Sequence, residues 1–90
     1  MASKKKKLGE VRLESNQTTL IPGNTVTFVG EPRDGKLSAK ISMAGGPFYS
    51  PLYKGGNGDV RISRILERPG EITVEFFADG EKYAEGSWNV

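Results

Sequence analysis

Glu71-Ile72-Thr73-Val74-Glu75-Phe76-Phe77-Ala78-Asp79-Gly80-Glu81-Lys82-Tyr83-Ala84 decides the fold class. Ile72, Val74 and Phe76 alternate with Glu71, Thr73 and Glu75, so one face is apolar and the other polar. That period of two is a β-strand with one face on a core. Asp79-Gly80 follows, a pair suited to the positive φ angles of a tight hairpin turn. A two-residue loop would set Glu85 opposite Val74, on the apolar face. A three-residue loop over 78–80 pairs Val74 with Ala84 and Ile72 with Gly86, and turns Trp88 inward. A slip of one residue inverts every side chain, so the longer loop is expected, with Phe77 and Tyr83 together on the outer face.

Outward from this hairpin the same alternation recurs. Val11 and Leu13, Val26 and Phe28, Leu37, Ala39, Ile41 and Met43, and Val60 and Ile62 each alternate with polar neighbours. No window carries the spacing of an amphipathic helix. The five prolines, Pro22, Pro32, Pro47, Pro51 and Pro69, fall between the runs, where no ladder hydrogen bond is lost. Seven strands are expected, at about 9–15, 18–21, 25–31, 36–43, 59–66, 71–78 and 81–90, with a short edge strand within 47–54. Such a succession is all-β, an antiparallel sandwich of two sheets. Phe28, Ile41, Ile62, Val74, Phe76 and Trp88 are its expected core.

Composition narrows the chemistry. The 90 residues contain no cysteine and no histidine. Thiolate nucleophiles, disulfides, iron–sulfur clusters, the usual zinc sites and imidazole acid–base catalysis are therefore excluded. A chain of this length has a small core, and no apolar run approaches the length that crosses a membrane as a helix. The formal charge is +2, from 13 Lys and Arg against 11 Asp and Glu. Lys4, Lys5, Lys6 and Lys7 supply four of the 13 cations, and the other nine against 11 anions leave a body of about −2. Residues 1–8 thus read as a disordered basic tail and 9–90 as the sandwich domain. The tail is a candidate tether for an anionic partner, nucleic acid included, or a solvated extension. No apolar stretch follows it as in a signal peptide.

Acidic and glycine-rich stretches give no catalytic reading. Glu10 and Glu14, and Glu71 and Glu75, lie on the polar faces of strands. Asn57-Gly58-Asp59 has too few ligands for calcium. Gly45-Gly46 and Gly55-Gly56-Asn57-Gly58 precede strands, whereas a phosphate loop opens a helix. Asn16-Gln17-Thr18 matches a glycosylation sequon only incidentally. No enzyme activity, metal or cofactor is expected.

The most distinctive stretch is Gly46-Pro47-Phe48-Tyr49-Ser50-Pro51-Leu52-Tyr53-Lys54, which holds three of the eight aromatic residues. Two readings stay open. Phe48, Tyr49, Leu52 and Tyr53 are contacts for a protein or glycan surface, or Phe48 and Leu52 close one end of the core. If the fourth and sixth strands pair, Phe77 and Tyr83 extend a patch with Tyr49 or Tyr53.

The motifs Leu20-Ile21-Pro22-Gly23-Asn24-Thr25-Val26-Thr27-Phe28, Pro69-Gly70-Glu71-Ile72-Thr73-Val74 and the Asp79-Gly80 hairpin resemble an immunoglobulin-like β-sandwich of the cysteine-free kind found in bacterial and phage proteins. The resemblance covers residues 9–90. It departs from antibody-type domains: Phe28 and Val74 lie near the positions of the paired cysteines, Ile72 replaces the corner tyrosine, and the only tryptophan, Trp88, is on the last strand. The resemblance implies a non-enzymatic phage virion protein, a capsid decoration or accessory module made in the host cytoplasm, whose partner is a protein surface. Glycan binding through exposed Tyr49, Tyr53 and Trp88 is the first alternative, and nucleic-acid association through Lys4–Lys7 the second. No membrane partner is expected.

Overall fold

The computed structural model describes residues 8–14, 20–55 and 58–89. Those residues form nine strands and no helix: β1 (Gly9–Glu10), β2 (Arg12–Leu13), β3 (Thr25–Gly30), β4 (Leu37–Ser42), β5 (Phe48–Pro51), β6 (Tyr53–Lys54), β7 (Val60–Ile65), β8 (Glu71–Ala78) and β9 (Glu81–Asn89). A five-stranded sheet runs β1-β9-β8-β4-β5, and a four-stranded sheet runs β2-β3-β7-β6. The protein is an all-β sandwich.

The alternating runs become β3, β4, β7, β8 and β9, and their apolar faces meet in the core. Val26, Phe28, Val60 and Ile62 of one sheet pack with Ala39, Ile41, Ile72, Val74, Phe76 and Ala84 of the other, and all are buried. Leu20, Leu66, Val11 and Tyr83 close the margins. Of the expected core, Phe28, Ile41, Ile62, Val74 and Phe76 are buried, while Trp88 is half-buried with its ring centroid 5.2 Å from that of Phe28.

The expected single first strand divides. Gly9 and Glu10 pair parallel with Ala84 and Glu85 of β9, whereas Arg12 and Leu13 pair antiparallel with Val29 and Phe28 of β3. The chain crosses from sheet to sheet at Val11, whose N–H donates to Glu85 O at 3.1 Å. The five-stranded sheet is therefore mixed, while the four-stranded sheet is wholly antiparallel. Gly86 makes the crossing possible: a Cβ there would lie 2.7 Å from Val11 O and 2.6 Å from the Trp88 ring. The expected strand at 18–21 does not form over Leu20–Ile21, and its first two residues lie outside the described residues.

The closing hairpin corrects the expected register. Asp79 and Gly80 take φ of 51° and 84°, a two-residue turn with Ala78 opposite Glu81. The ladder then slips between Phe76 and Phe77, so that Phe77 faces Lys82, Phe76 faces Ala84 and Val74 faces Gly86. Tyr83 is the extra residue of a bulge. The bulge supplies the change of parity that the longer loop was expected to supply. Ala84, Gly86 and Trp88 point inward, and Tyr83 turns into the core margin instead of outward.

The region of the expected edge strand holds two strands. β5 pairs with β4, and after Leu52 the chain enters the other sheet as β6 beside β7.

Candidate functional site

The outer face of the five-stranded sheet carries the clearest surface feature. Antiparallel pairing aligns Pro51, Ser38, Phe77 and Lys82 in one row across β5, β4, β8 and β9. The next row is Tyr49, Lys40, Glu75 and Glu85. Ser38 is small and stands between Pro51 and Phe77, so the surface dips there. The resulting recess has a volume of about 480 Å³ and is lined by Ser38, Tyr49, Pro51 and Phe77, with Lys36 and Gly80 at the hairpin end. Tyr49 is 72% exposed on its rim. An open apolar recess with an aromatic rim suits contact with another surface, because covering the rings removes apolar area from water.

Beyond Phe77 the face becomes charged. Lys82 Nζ donates to Glu85 Oε1 at 2.9 Å and to Glu75 Oε2 at 3.3 Å. The hydrogen bond to Glu85 first, and then that to Glu75, raise the Lys82 ammonium above its ordinary range. Apolar centre and charged margin are thus set by strand register alone.

The sequence candidates separate accordingly. Tyr49 and Phe77 come together, because β4 pairs with both β5 and β8. Phe48 and Leu52 face the other way and pack against the core. The core-closing reading of the 46–54 stretch therefore holds for Phe48 and Leu52, while Tyr49 and Tyr53 are exposed. Tyr53 is 58% exposed but sits on β6 in the other sheet, opposite Arg61, so it does not extend the patch. Tyr83 is a correction. It is only 6% exposed, its ring lies 6.3 Å from that of Phe76, and its hydroxyl donates to Glu31 O at 2.9 Å. Burial pushes its phenol up; the Arg33 guanidinium opposes that shift and Glu31 adds to it. Trp88, expected as an exposed ring for sugars, instead leans on Phe28. Lys4–Lys7 lie outside the described residues, as do Asn16-Gln17-Thr18 and Asn57.

Sequence reasoning missed Ser38, Pro51 and Lys36. Ser38 had a signal, since it occupies the polar phase of the β4 alternation. Its neighbours across the sheet had none.

The other sheet carries paired polar groups beside exposed Tyr53 and Ile65. Arg61 bonds Glu14 and also Asp59, the latter at 3.2 Å, and the Asp59 bond leads the causes that raise its guanidinium further. Its Nε is buried with no hydrogen-bond partner among the described residues. Thr27 and Ser63 share a hydroxyl hydrogen bond of 2.7 Å. Among the described residues no group of three or more acidic side chains gathers as metal ligands would, and no helix is long and apolar enough to cross a membrane.

No protein-family model, curated protein or solved structure matches this chain.

Proposed function

We propose that this chain is a non-catalytic binding module on an immunoglobulin-like sandwich, docking on a protein surface through the outer face of its five-stranded sheet. The recess walled by Tyr49, Pro51 and Phe77 over Ser38 carries this reading. Aromatic side chains at the centre of a patch with a charged margin match the anatomy of protein interfaces.

The strand order supports the immunoglobulin-like part. Lettered along the chain, β2-β3-β7-β6 corresponds to A-B-E-D, and β9-β8-β4 to G-F-C with β5 as an added C′ strand. Capsid decoration is the partner class we carry forward, and its support is the sequence resemblance alone. The glycan reading loses ground on one observation. Trp88 packs on Phe28, and Tyr49 and Tyr53 stand on different sheets, so the three rings share no platform.

The test is binding of the full chain to intact phage capsids and expanded proheads, by cosedimentation. Tyr49→Ala and Ser38→Arg, one removing the rim and one filling the recess, are each expected to weaken binding at least tenfold, about 1.4 kcal/mol. Undiminished binding by both variants would overturn the docking face. Absence of binding to either particle would overturn the capsid partner.

A further inference from the structure

β6 pairs with β7 only at Val60 and Arg61. Beyond that point the rest of β7 has β3 on one side and no strand on the other among the described residues. The phase of the ladder shows which backbone groups are left there. Leu66 N–H donates to Asn24 O at 3.0 Å, and Gly23 N–H donates to Leu66 O, so residue 66 bonds towards the β3 side. Antiparallel alternation then turns Ile62 and Arg64 towards β3, and Ser63 and Ile65 towards the open side. The opposite flank agrees: Gly55 N–H donates to Asp59 O at 2.8 Å, which puts 59, 61, 63 and 65 in one phase. The N–H and C=O groups of Ser63 and Ile65 therefore form a strand edge that no strand among the described residues occupies.

The edge strands β1, β2 and β6 are two residues each, and β5 ends on Pro51, which has no N–H. β9 beyond Glu85 also has β8 on one side and no strand on the other among the described residues. The β7 edge carries neither proline nor lysine, and Ile65 is 53% exposed on it. A recess of about 390 Å³ runs alongside, bounded across from β7 by Met43, Ala44 and Phe48. Arg64 lies within it, its guanidinium carbon 3.7 Å from the centre of the Phe48 ring. It makes no ion pair among the described residues. Glu67 lies at the margin.

We infer that this edge binds an extended segment of a partner protein, added as a strand beside Ser63–Ile65, with a carboxylate side chain set against Arg64. The backbone edge supplies directional hydrogen bonds, and the recess supplies selection at alternate side chains, which is how strand addition divides affinity from specificity. The guanidinium, stacked on an aromatic ring and without an ion pair among the described residues, selects a carboxylate. The site is separate from the Tyr49–Phe77 recess on the other sheet.

The experiment pans a displayed library of random heptapeptides against the full chain and measures the enriched peptides by fluorescence anisotropy. Enriched sequences are expected to share an Asp or Glu at one position. Ile65→Pro removes an N–H that faces the open side, so the β3 ladder stays whole, and peptide affinity is expected to fall at least tenfold. Arg64→Glu, panned separately, is expected to exchange the acidic preference for a basic one, and this holds the proposal to account even if Ile65→Pro folds poorly. Tyr49→Ala is expected to bind the peptides unchanged, which separates this site from the docking face. No enrichment, an acidic preference that survives Arg64→Glu, or full affinity in a folded Ile65→Pro would each overturn the proposal. So would self-association that Ile65→Pro abolishes, because it would assign the edge to a second copy.

Discussion

Tyr83 shows how one side chain changes its role between sequence and structure. Its position in an alternating run marked it as an outer-face contact, but the bulge turns it beneath Arg33, whose guanidinium carbon is 4.9 Å from its ring centre. Its hydroxyl satisfies Glu31 O, so Tyr83→Phe is expected to cost about 1 kcal/mol in urea denaturation at neutral pH. The phenol is raised in the folded state, so it contributes stability that is whole below about pH 10 and is lost as pH rises through its folded pKa. Lys82, raised by Glu85 and Glu75, acts in the same direction. Stability is therefore expected to decline above about pH 10, and Tyr83→Phe to decline less steeply. Titration of the tyrosinate absorbance should show a high-pH component that this variant lacks. Gly86→Ala meets both Val11 O and the Trp88 ring, and is expected to cost about 1–3 kcal/mol by the same denaturation measurement.

The β8–β9 hairpin is the element on which the parity of the last strand depends. The sequence correctly demanded that Trp88 share the face of Ile72 and Val74, and that a plain two-residue loop could not achieve this. It offered no way to choose between a longer loop and a bulge, because both restore parity and the residue that bulges carries no local mark. Deleting Tyr83 is a direct check. Without it Lys82 and Ala84 become adjacent, and the two-residue turn keeps Phe77 opposite Lys82 and Phe76 opposite Ala84, so Trp88 stays inward. The deletion variant is expected to keep cooperative thermal unfolding and native Trp88 fluorescence, at a stability lowered by loss of the buried Tyr83 ring. Trp88 fluorescence shifted to the red would show that β9 has changed its register. By contrast β3, β4, β7 and β8 lie where their alternation placed them, since each is a continuous run with one buried face.

Across the molecule, the segment from Gly9 to Leu13 joins the two sheets by pairing with both. Val11, at the crossing, is 4% exposed. Val11→Ala is expected to cost about 2 kcal/mol in chemical denaturation, more than its size suggests for a residue so near one end. An unchanged midpoint would mean that the crossing is dispensable. The recess on the outer face and the open β7 edge are also products of assembly. Tyr49, Ser38 and Phe77 come from three strands, and the β7 edge exists because β6 stops short.

Period-two patterning, proline placement and turn residues settled that this chain is all strand, which faces are apolar and which large side chains fill the core. These are local properties, written in neighbouring residues, and burial of one face enforces them. The absence of cysteine and histidine likewise removed whole classes of chemistry without any structure. Tertiary structure alone decided that the first strand divides between sheets, that Tyr83 bulges into the core and that Tyr49 and Phe77 line one recess. It also decided that Ser63 and Ile65 are left facing outward. Each of these depends on which strands lie side by side and in what register, and pairing partners distant in sequence leave no periodic trace in either strand.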